Sequence, residues 1–383
     1  MECVLILDPR GNVNLGGEDT ISRHNSYARE LKNHKQLESH KLIVISNGNK
    51  VNIQPSTFDL RVVNAKRFNF IQFAYKASKE IKRTEIAPSI LVVADPWESY
   101  WTARLTRFLT GLKCPIQVQL HGDIGNPVWR SLNFRNRLRF YGLGYALRKS
   151  ESIRTVSEFQ TELIVESFNI KSNKVYICPP LLNSSYLNQK RNSKRREKKE
   201  VTLAFVGRLH SERGTKKLKE IVSKLNKEEF NFKLMVLGSG PEEKEVKREL
   251  SKELASERIE FRPFLEPRGM ASFWTQIDLI LSLAPSESYG RAMREALLFG
   301  IPVLAVESSG VKDLVQLVGE ESVLTITPEA GSAEIIMKIK KLLSARVSLD
   351  TKNKIMEVEQ RKNSLLIESW AQTMEQFKTN GSR

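Results

Sequence analysis

The stretch Glu287-Ser288-Tyr289-Gly290-Arg291-Ala292-Met293-Arg294-Glu295-Ala296-Leu297, followed by Phe299-Gly300-Ile301-Pro302-Val303-Leu304, reads as a loop, a short helix and a buried strand. Ala292, Ala296 and Phe299 fall on one helical face, Gly300 suits the position after the last turn, and Pro302 prevents continuation. The helix is expected to open at Ser288-Tyr289-Gly290, where several backbone amides have no intrahelical partner. Those donors and the helix dipole predict an anion site, with phosphate as the usual guest. Glu287 sits in the loop and Glu295 eight residues later on the helix. Carboxylates there would repel phosphate but accept hydrogen bonds from hydroxyl groups on either side of it. A nucleotide-sugar has that layout: sugar hydroxyls, diphosphate, ribose hydroxyls. The plainer readings are a first-turn helix acid for Glu295 and a solvated loop residue for Glu287.

Around this segment, short apolar runs rich in β-branched residues alternate with longer amphipathic stretches. The runs are 4–8, 41–46, 90–95, 116–121, 153–157 and 175–178, then 201–208, 232–237, 259–264, 279–283, 301–306 and 323–326. Near-continuous apolar strands separated by helices predict parallel sheets covered on both faces. The two sets predict an α/β protein of two Rossmann-like, doubly wound domains facing a deep interdomain cleft. Residues 1–187 form the N-terminal domain, 188–200 a basic linker, and 201–363 the C-terminal domain. Leu366, Trp370, Met374 and Phe377 mark one face of a last helix, 364–379, which packs on its own domain or crosses back to the first.

A length of 383 residues fits two domains. Hydrophobic content of 40% with 27% charged residues is that of a soluble globular chain. Cys3, Cys114 and Cys178 are scattered without CxxC or His at ligand spacing, which excludes a disulfide framework or zinc ribbon. The first residues, Met1 to Asp8, read as a strand and not a signal peptide, and no apolar run has the length of a membrane span. A cytoplasmic protein is expected, free or peripheral on the inner face of the cell membrane. The net charge of +17 suits a polyanionic surface, nucleic acid or anionic lipid.

Ligands of open parallel sheets bind at the carboxyl ends of strands. In the second half these ends carry Gly207-Arg208-Leu209 with Arg213-Gly214, then Gly238-Ser239-Gly240-Pro241, the Glu287 loop, and Ser308-Ser309-Gly310. Two arginines five residues apart around a glycine can both face a diphosphate, which guanidinium binds in bidentate fashion. In the first half, Asn14-Leu15-Gly16-Gly17 lies between the first strand and a helix, and His121 closes an apolar strand ahead of Gly122 and Asp123.

The order Gly16-Gly17, His121-Gly122, Ser157-Glu158, Gly207-Arg208-Leu209 with Arg213-Gly214, Gly238-Ser239-Gly240-Pro241 and Glu287-x7-Glu295 resembles the family 4 retaining glycosyltransferases of the GT-B fold. The resemblance implies that Arg208 and Arg213 bind the donor diphosphate and that Glu295 binds the ribose hydroxyls. Glu287 would contact the transferred sugar, and the amides of Ser288, Tyr289 and Gly290 would hold phosphate or sugar, with Gly207, Gly238 and Gly240 lining the donor site. His121 would lie beside the reacting sugar, and Gly16, Gly17 and Ser157 would border the acceptor in the N-terminal domain. Catalysis would rest on His121, Glu287, Arg208 and Arg213. Two departures stand out: Arg213 replaces the usual Lys, and Pro179-Pro180-Leu181-Leu182-Asn183 replaces the commoner Asn-Gly turn before the linker.

The implied reaction moves a sugar from a UDP- or GDP-sugar to a saccharide or lipid-linked acceptor in cell-envelope polysaccharide or lipopolysaccharide synthesis. No Asp-x-Asp occurs, so no metal or other cofactor is expected; fixed arginines and helix-terminal amides can meet the departing charge. Trp129, Phe134, Phe140, Tyr141 and Tyr145 interleave with Arg130, Arg135, Arg137, Arg139 and Arg148, and Tyr100, Trp101, Arg104, Arg107 and Phe108 repeat the pattern. That composition suits an anionic bilayer if the rings face outward, and an ordinary core if they face inward. An epimerase of the same fold would need an acid–base pair that the His121 neighbourhood does not clearly supply. A nucleic-acid-binding protein would need a recognition motif, and none appears.

Overall fold

The computed structural model describes residues 2–66, 69–131, 133–182, 200–327 and 329–381. Among these residues, thirteen strands build two all-parallel sheets. The first holds β1 (Glu2–Asp8), β2 (Lys41–Asn47), β3 (Asp59–Val63), β4 (Ala87–Val93), β5 (Ile116–Gln119), β6 (Ser152–Thr155) and β7 (Val175–Ile177), in the order β3-β2-β1-β4-β5-β6-β7. The second holds β8 (Val201–Val206), β9 (Phe232–Leu237), β10 (Ile259–Arg262), β11 (Leu279–Ser282), β12 (Val303–Val306) and β13 (Val323–Ile326), in the order β10-β9-β8-β11-β12-β13. In each sheet the strand order reverses next to the first strand, between β1 and β4 and between β8 and β11. That reversal is where open sheets leave a crevice for ligands.

β3 was not among the expected strands. Its sequence, Asp59-Leu60-Arg61-Val62-Val63, alternates polar and apolar residues because it lies at a sheet edge, where only β2 pairs with it. Arg61 is held beside it by Asp59 at 2.8 Å and Glu80 at 3.2 Å.

Among the described residues, one compact unit comprises segments within 1–125, 133–181 and 361–383, and the other comprises segments within 126–132 and 182–360. The expected boundary at 187 lies outside the described residues, and the short helix Pro127–Ser131 groups with the second unit. The basic linker expected at 188–200 lies outside the described residues except for Glu200. In the second unit, Leu203, Phe205, Leu218, Val236, Leu281 and Leu304 pack between strands and helices as one apolar core.

The last helix starts earlier than expected, at Leu349, and runs to Gly381. Its residues from 361 onward belong to the first unit. There Leu366, Ile367, Trp370, Ala371 and Met374 enter the same apolar cluster as Val4, Tyr27, Val44 and Val92. The buried Trp370 indole donates to Gln117 Oε1 at 2.9 Å and meets Tyr27 edge-on, with centroids 6.4 Å apart. Each fully buried Leu or Ile in that row contributes roughly 2 kcal/mol of transfer free energy, so the segment is a structural part of the first unit.

Candidate active site

The four expected ligand loops follow β8, β9, β11 and β12. In the sheet these strands are consecutive, β9-β8-β11-β12, so their loops stand side by side at one carboxyl edge. The backbone itself joins them. The Leu209 amide donates to the Ser239 carbonyl at 3.0 Å, and the Gly207 amide to Leu237 at 3.0 Å, tying the β8 loop to the β9 loop with its Gly238 and Gly240. Gly214 has φ 82°, and a Cβ there would stand 2.1 Å from the Leu283 carbonyl oxygen of the β11 loop. Only glycine permits that contact. Gly310, after β12, donates its amide to the Glu287 carbonyl at 2.7 Å, and a Cβ would sit 2.5 Å from the Tyr289 nitrogen.

Into this frame the 3₁₀ turn Ser211–Arg213 brings a guanidinium. Arg213 Nη1 donates to Glu287 Oε2 at 2.6 Å, joining the β8 and β11 loops through their side chains. Arg208 is exposed on the same β8 loop. The helix after the β11 loop begins at Arg291, later than expected, and Glu287 Oε1 accepts the amides of Tyr289 at 3.3 Å and Gly290 at 3.1 Å. Two of the amides expected to be unpartnered therefore carry a carboxylate. The cause is local: Glu287 stands just upstream of the positive helix end, where an anion is stabilised.

Glu295 is buried and lies in the second turn, so the first-turn reading does not hold. Ala292 is only half-buried, and the buried face is carried by Met293, Ala296, Leu297 and Phe299. The helix stops in a Schellman motif, with Gly300 donating to Leu297 and Ile301 to Ala296, both at 2.9 Å.

Two supports escaped the sequence reading. Glu242 accepts the Ser211 amide at 2.7 Å and the Thr215 hydroxyl, clamping the turn that bears Arg213. Arg294, fully buried inside the opening segment, donates to the Tyr289 carbonyl and pairs with Asp313 at 3.0 Å; its guanidinium lies 3.7 Å from the Tyr289 ring centroid. It fixes the β11 loop to the helix Ser309–Val318. Glu242's place just after the Gly238–Pro241 turn was the available signal for the first; a lone Arg gives none for the second.

In the first unit, Gly16 and Gly17 join a short helix, Asn12–Leu15, to a long one, Gly17–Asn33. His121 follows β5 and is exposed. The protein packed around its ring, then the Arg154 and Arg23 guanidiniums, push it to about 3, below the ordinary imidazole value. All three causes act in the same direction, and the ring is neutral at pH 7. Arg154 is buried and held by the Cys178 carbonyl at 2.7 Å and Gln119 Oε1 at 3.0 Å. Ser157 is also buried, and its Oγ accepts the Gln160 amide at 3.3 Å, capping the helix Glu158–Phe168. At the β1–β4 reversal, Arg10 pairs with Glu98 at 2.5 Å and lies 3.5 Å from Asp95, while Arg139 reaches Glu98 at 3.3 Å. None of these four was singled out for the site from sequence.

Residues 188–360 match the family model of glycosyl transferases group 1. That match covers a little under half of the chain. It contains Arg208, Arg213, Glu242, Glu287 and Glu295. The chain is similar to a 2-deoxystreptamine glucosyltransferase of Streptomyces kanamyceticus, with 24% identity over 207 residues, 52% of this chain and 53% of the relative. It spans about half the length of the curated relatives it matches. Among solved structures, a sucrose-phosphate synthase from Thermosynechococcus elongatus superposes at TM-score 0.71 with 14% identity, covering 100% of both chains. The lipopolysaccharide outer core galactosyltransferase WaaB gives 0.66 with 13% identity, covering 98% of this chain and 99% of that one. Anabaena HepE in complex with UDP-glucose gives 0.64 with 15% identity, covering 100% and 99%. At these identities the structures establish the fold alone, GT-B. Among the described residues, no helix is long and apolar enough to cross a membrane.

Proposed function

We propose that the protein is a retaining glycosyltransferase of family 4 that moves a sugar from a UDP- or GDP-sugar to a saccharide or lipid-linked acceptor, in cell-envelope polysaccharide or lipopolysaccharide synthesis at the inner face of the membrane. The observation that carries this reading is the contact of Arg213 with Glu287 inside a frame of four neighbouring strand-end loops. A cation, a carboxylate and a helix start meet there, the groups that a diphosphate flanked by hydroxyls requires. Arg208 and Arg213 face the diphosphate, and Glu287 exchanges its amide partners for sugar hydroxyls as phosphate takes the positive helix end. Glu295 receives the ribose hydroxyls, and the backbone of 288–290 and of Gly207, Gly238 and Gly240 approaches the donor.

The slow event is departure of a nucleoside diphosphate, and preorganised cations lower its cost without a metal. Neutral His121 donates a hydrogen bond to the reacting sugar without adding charge, while Gly16 and Gly17 border the acceptor; buried Ser157 supports that edge through its helix. Support for the donor comes from HepE, crystallised with UDP-glucose, and for the acceptor class from WaaB, a lipopolysaccharide outer core galactosyltransferase.

The test is incubation with UDP-, GDP- and ADP-sugars, reading nucleoside diphosphate release and the anomeric configuration of the product. One nucleotide-sugar should be turned over with retention, and Arg208→Ala should lower turnover by about 10² to 10³, the scale of one lost preorganised donor. Full turnover in that variant, or inversion at the anomeric carbon, would defeat the proposal.

A further inference from the structure

The helix Phe134–Lys149 presents a row of apolar side chains to solvent, contrary to what a core-facing reading requires. Phe134 is 70% exposed, Leu138 56%, Tyr141 74% and Tyr145 42%. Their spacing of four, three and four residues places them in one line along a single face. The opposite face is buried through Asn136, Leu143, Ala146 and Leu147, so the outward row is not a disguised core. A second helix of the same unit, Glu98–Thr110, extends it: Trp101 is stacked on Tyr145 with centroids 5.5 Å apart and planes 9° from parallel, and Phe108 is 81% exposed.

Charge surrounds this ridge. From 98 to 151 the sequence has nine Lys or Arg and three acidic residues; Asp123 is buried, and Glu98 and Glu151 pair with Arg139 and Arg107. Arg135, Arg137, Arg148 and Lys149 are exposed on the same helix as the row. Exposed aromatic and aliphatic side chains flanked by arginines are the two complements of an anionic bilayer: rings for the headgroup boundary and cations for the lipid phosphates. A second copy of this chain would meet the face with the same positive charge.

We propose that these two helices form a membrane-docking face, which settles on anionic lipid with Phe134, Leu138, Tyr141 and Phe108 inserted at the interface and Arg135, Arg137 and Arg148 on the phosphates. The residues are distinct from those of the transfer site, so docking is measured without turnover.

The full chain is mixed with sedimenting vesicles of phosphatidylglycerol and phosphatidylcholine, and with phosphatidylcholine alone, across a salt series. Binding should require the anionic lipid and persist at moderate salt. Leu138→Glu and the pair Phe134→Ala with Tyr141→Ala should each weaken partition by about ten-fold or more, because each removes inserted apolar surface. Arg135→Glu with Arg137→Glu should weaken it at least as much, at about five-fold per cation lost, and should flatten the salt dependence. Circular dichroism and nucleoside diphosphate binding, which report on fold and donor site, should remain those of the unmodified chain. Three results would overturn the proposal: no partition at low salt; partition that the apolar variants leave untouched, meaning attraction to any polyanion; or a dimer broken by Leu138→Glu, meaning the ridge belongs to a second copy.

Discussion

At the carboxyl edge of the second sheet, four adjacent loops touch through their backbones, at Gly214 on Leu283, Gly310 on Tyr289 and Leu209 on Ser239. At the same edge of the first sheet, Gly11 also approaches the Asn47 backbone, but the loops after β1 and β4 are linked by side chains, through Arg10, Asp95 and Glu98, with Arg139 completing the pairings. Backbone contacts of the first kind demand particular residues at particular positions. Side-chain pairing of the second kind can be met by many combinations. The two edges therefore differ in how much chemistry they constrain: the second is a rigid frame for one type of guest, the first a surface that can be rewritten while the sheet stays the same.

That contrast can be broken most forcefully inside the first unit. Trp370→Ala should lower stability by about 3–5 kcal/mol, since it removes a buried indole, its bond to Gln117 and its edge contact with Tyr27. Denaturant titration reads it, and UDP binding below the transition should be retained. Next, Arg213→Ala should reduce turnover by about 10² to 10³, or ~3–4 kcal/mol, whereas Arg10→Ala should leave UDP affinity unchanged by calorimetry. Equal losses in both variants would erase the distinction between the edges.

Gly310→Ala sharpens the contrast, because its Cβ would press on backbone at Tyr289. A loss of about 2 kcal/mol, accompanied by weaker nucleotide binding, is expected. A smaller effect concerns His24, whose Nδ1–H donates to the Thr20 carbonyl at 2.8 Å. Burial lowers it from 6.5 to about 4. The unfolded chain then binds a proton that the folded one refuses, so stability is complete above pH 6.5 and declines as pH falls towards 4. His24→Gln should remove on the order of 1 kcal/mol of that dependence in melts taken across the window. Last, chelation with EDTA should leave turnover unchanged, and loss of activity that magnesium restores would assign the departing charge to a metal.

How much was legible follows the same division. The strand runs of the second sheet and the Gly300–Pro302 stop could be read because apolar continuity and turn chemistry are local. The Arg213–Glu287 pair was approachable, since both residues lie in loops at strand ends. Glu287's hold on the Tyr289 and Gly290 amides was not, because the same carboxylate can face water, a cation or its own helix. β3 was hidden by its polar alternation at a sheet edge. The outward direction of Phe134, Leu138, Tyr141 and Tyr145 could not be read from composition, because aromatic spacing on a helix does not say which side the sheet lies.

The placement of Trp370 has a consequence for how the chain comes into being. The cluster around Val4, Tyr27 and Val44 is complete only when 366–374 are present. A ribosome that has released the first 181 residues has released a sheet whose apolar flank is still uncovered. The N-terminal unit is made first and closed last, so the nascent chain needs shelter for that flank while the second unit is being translated.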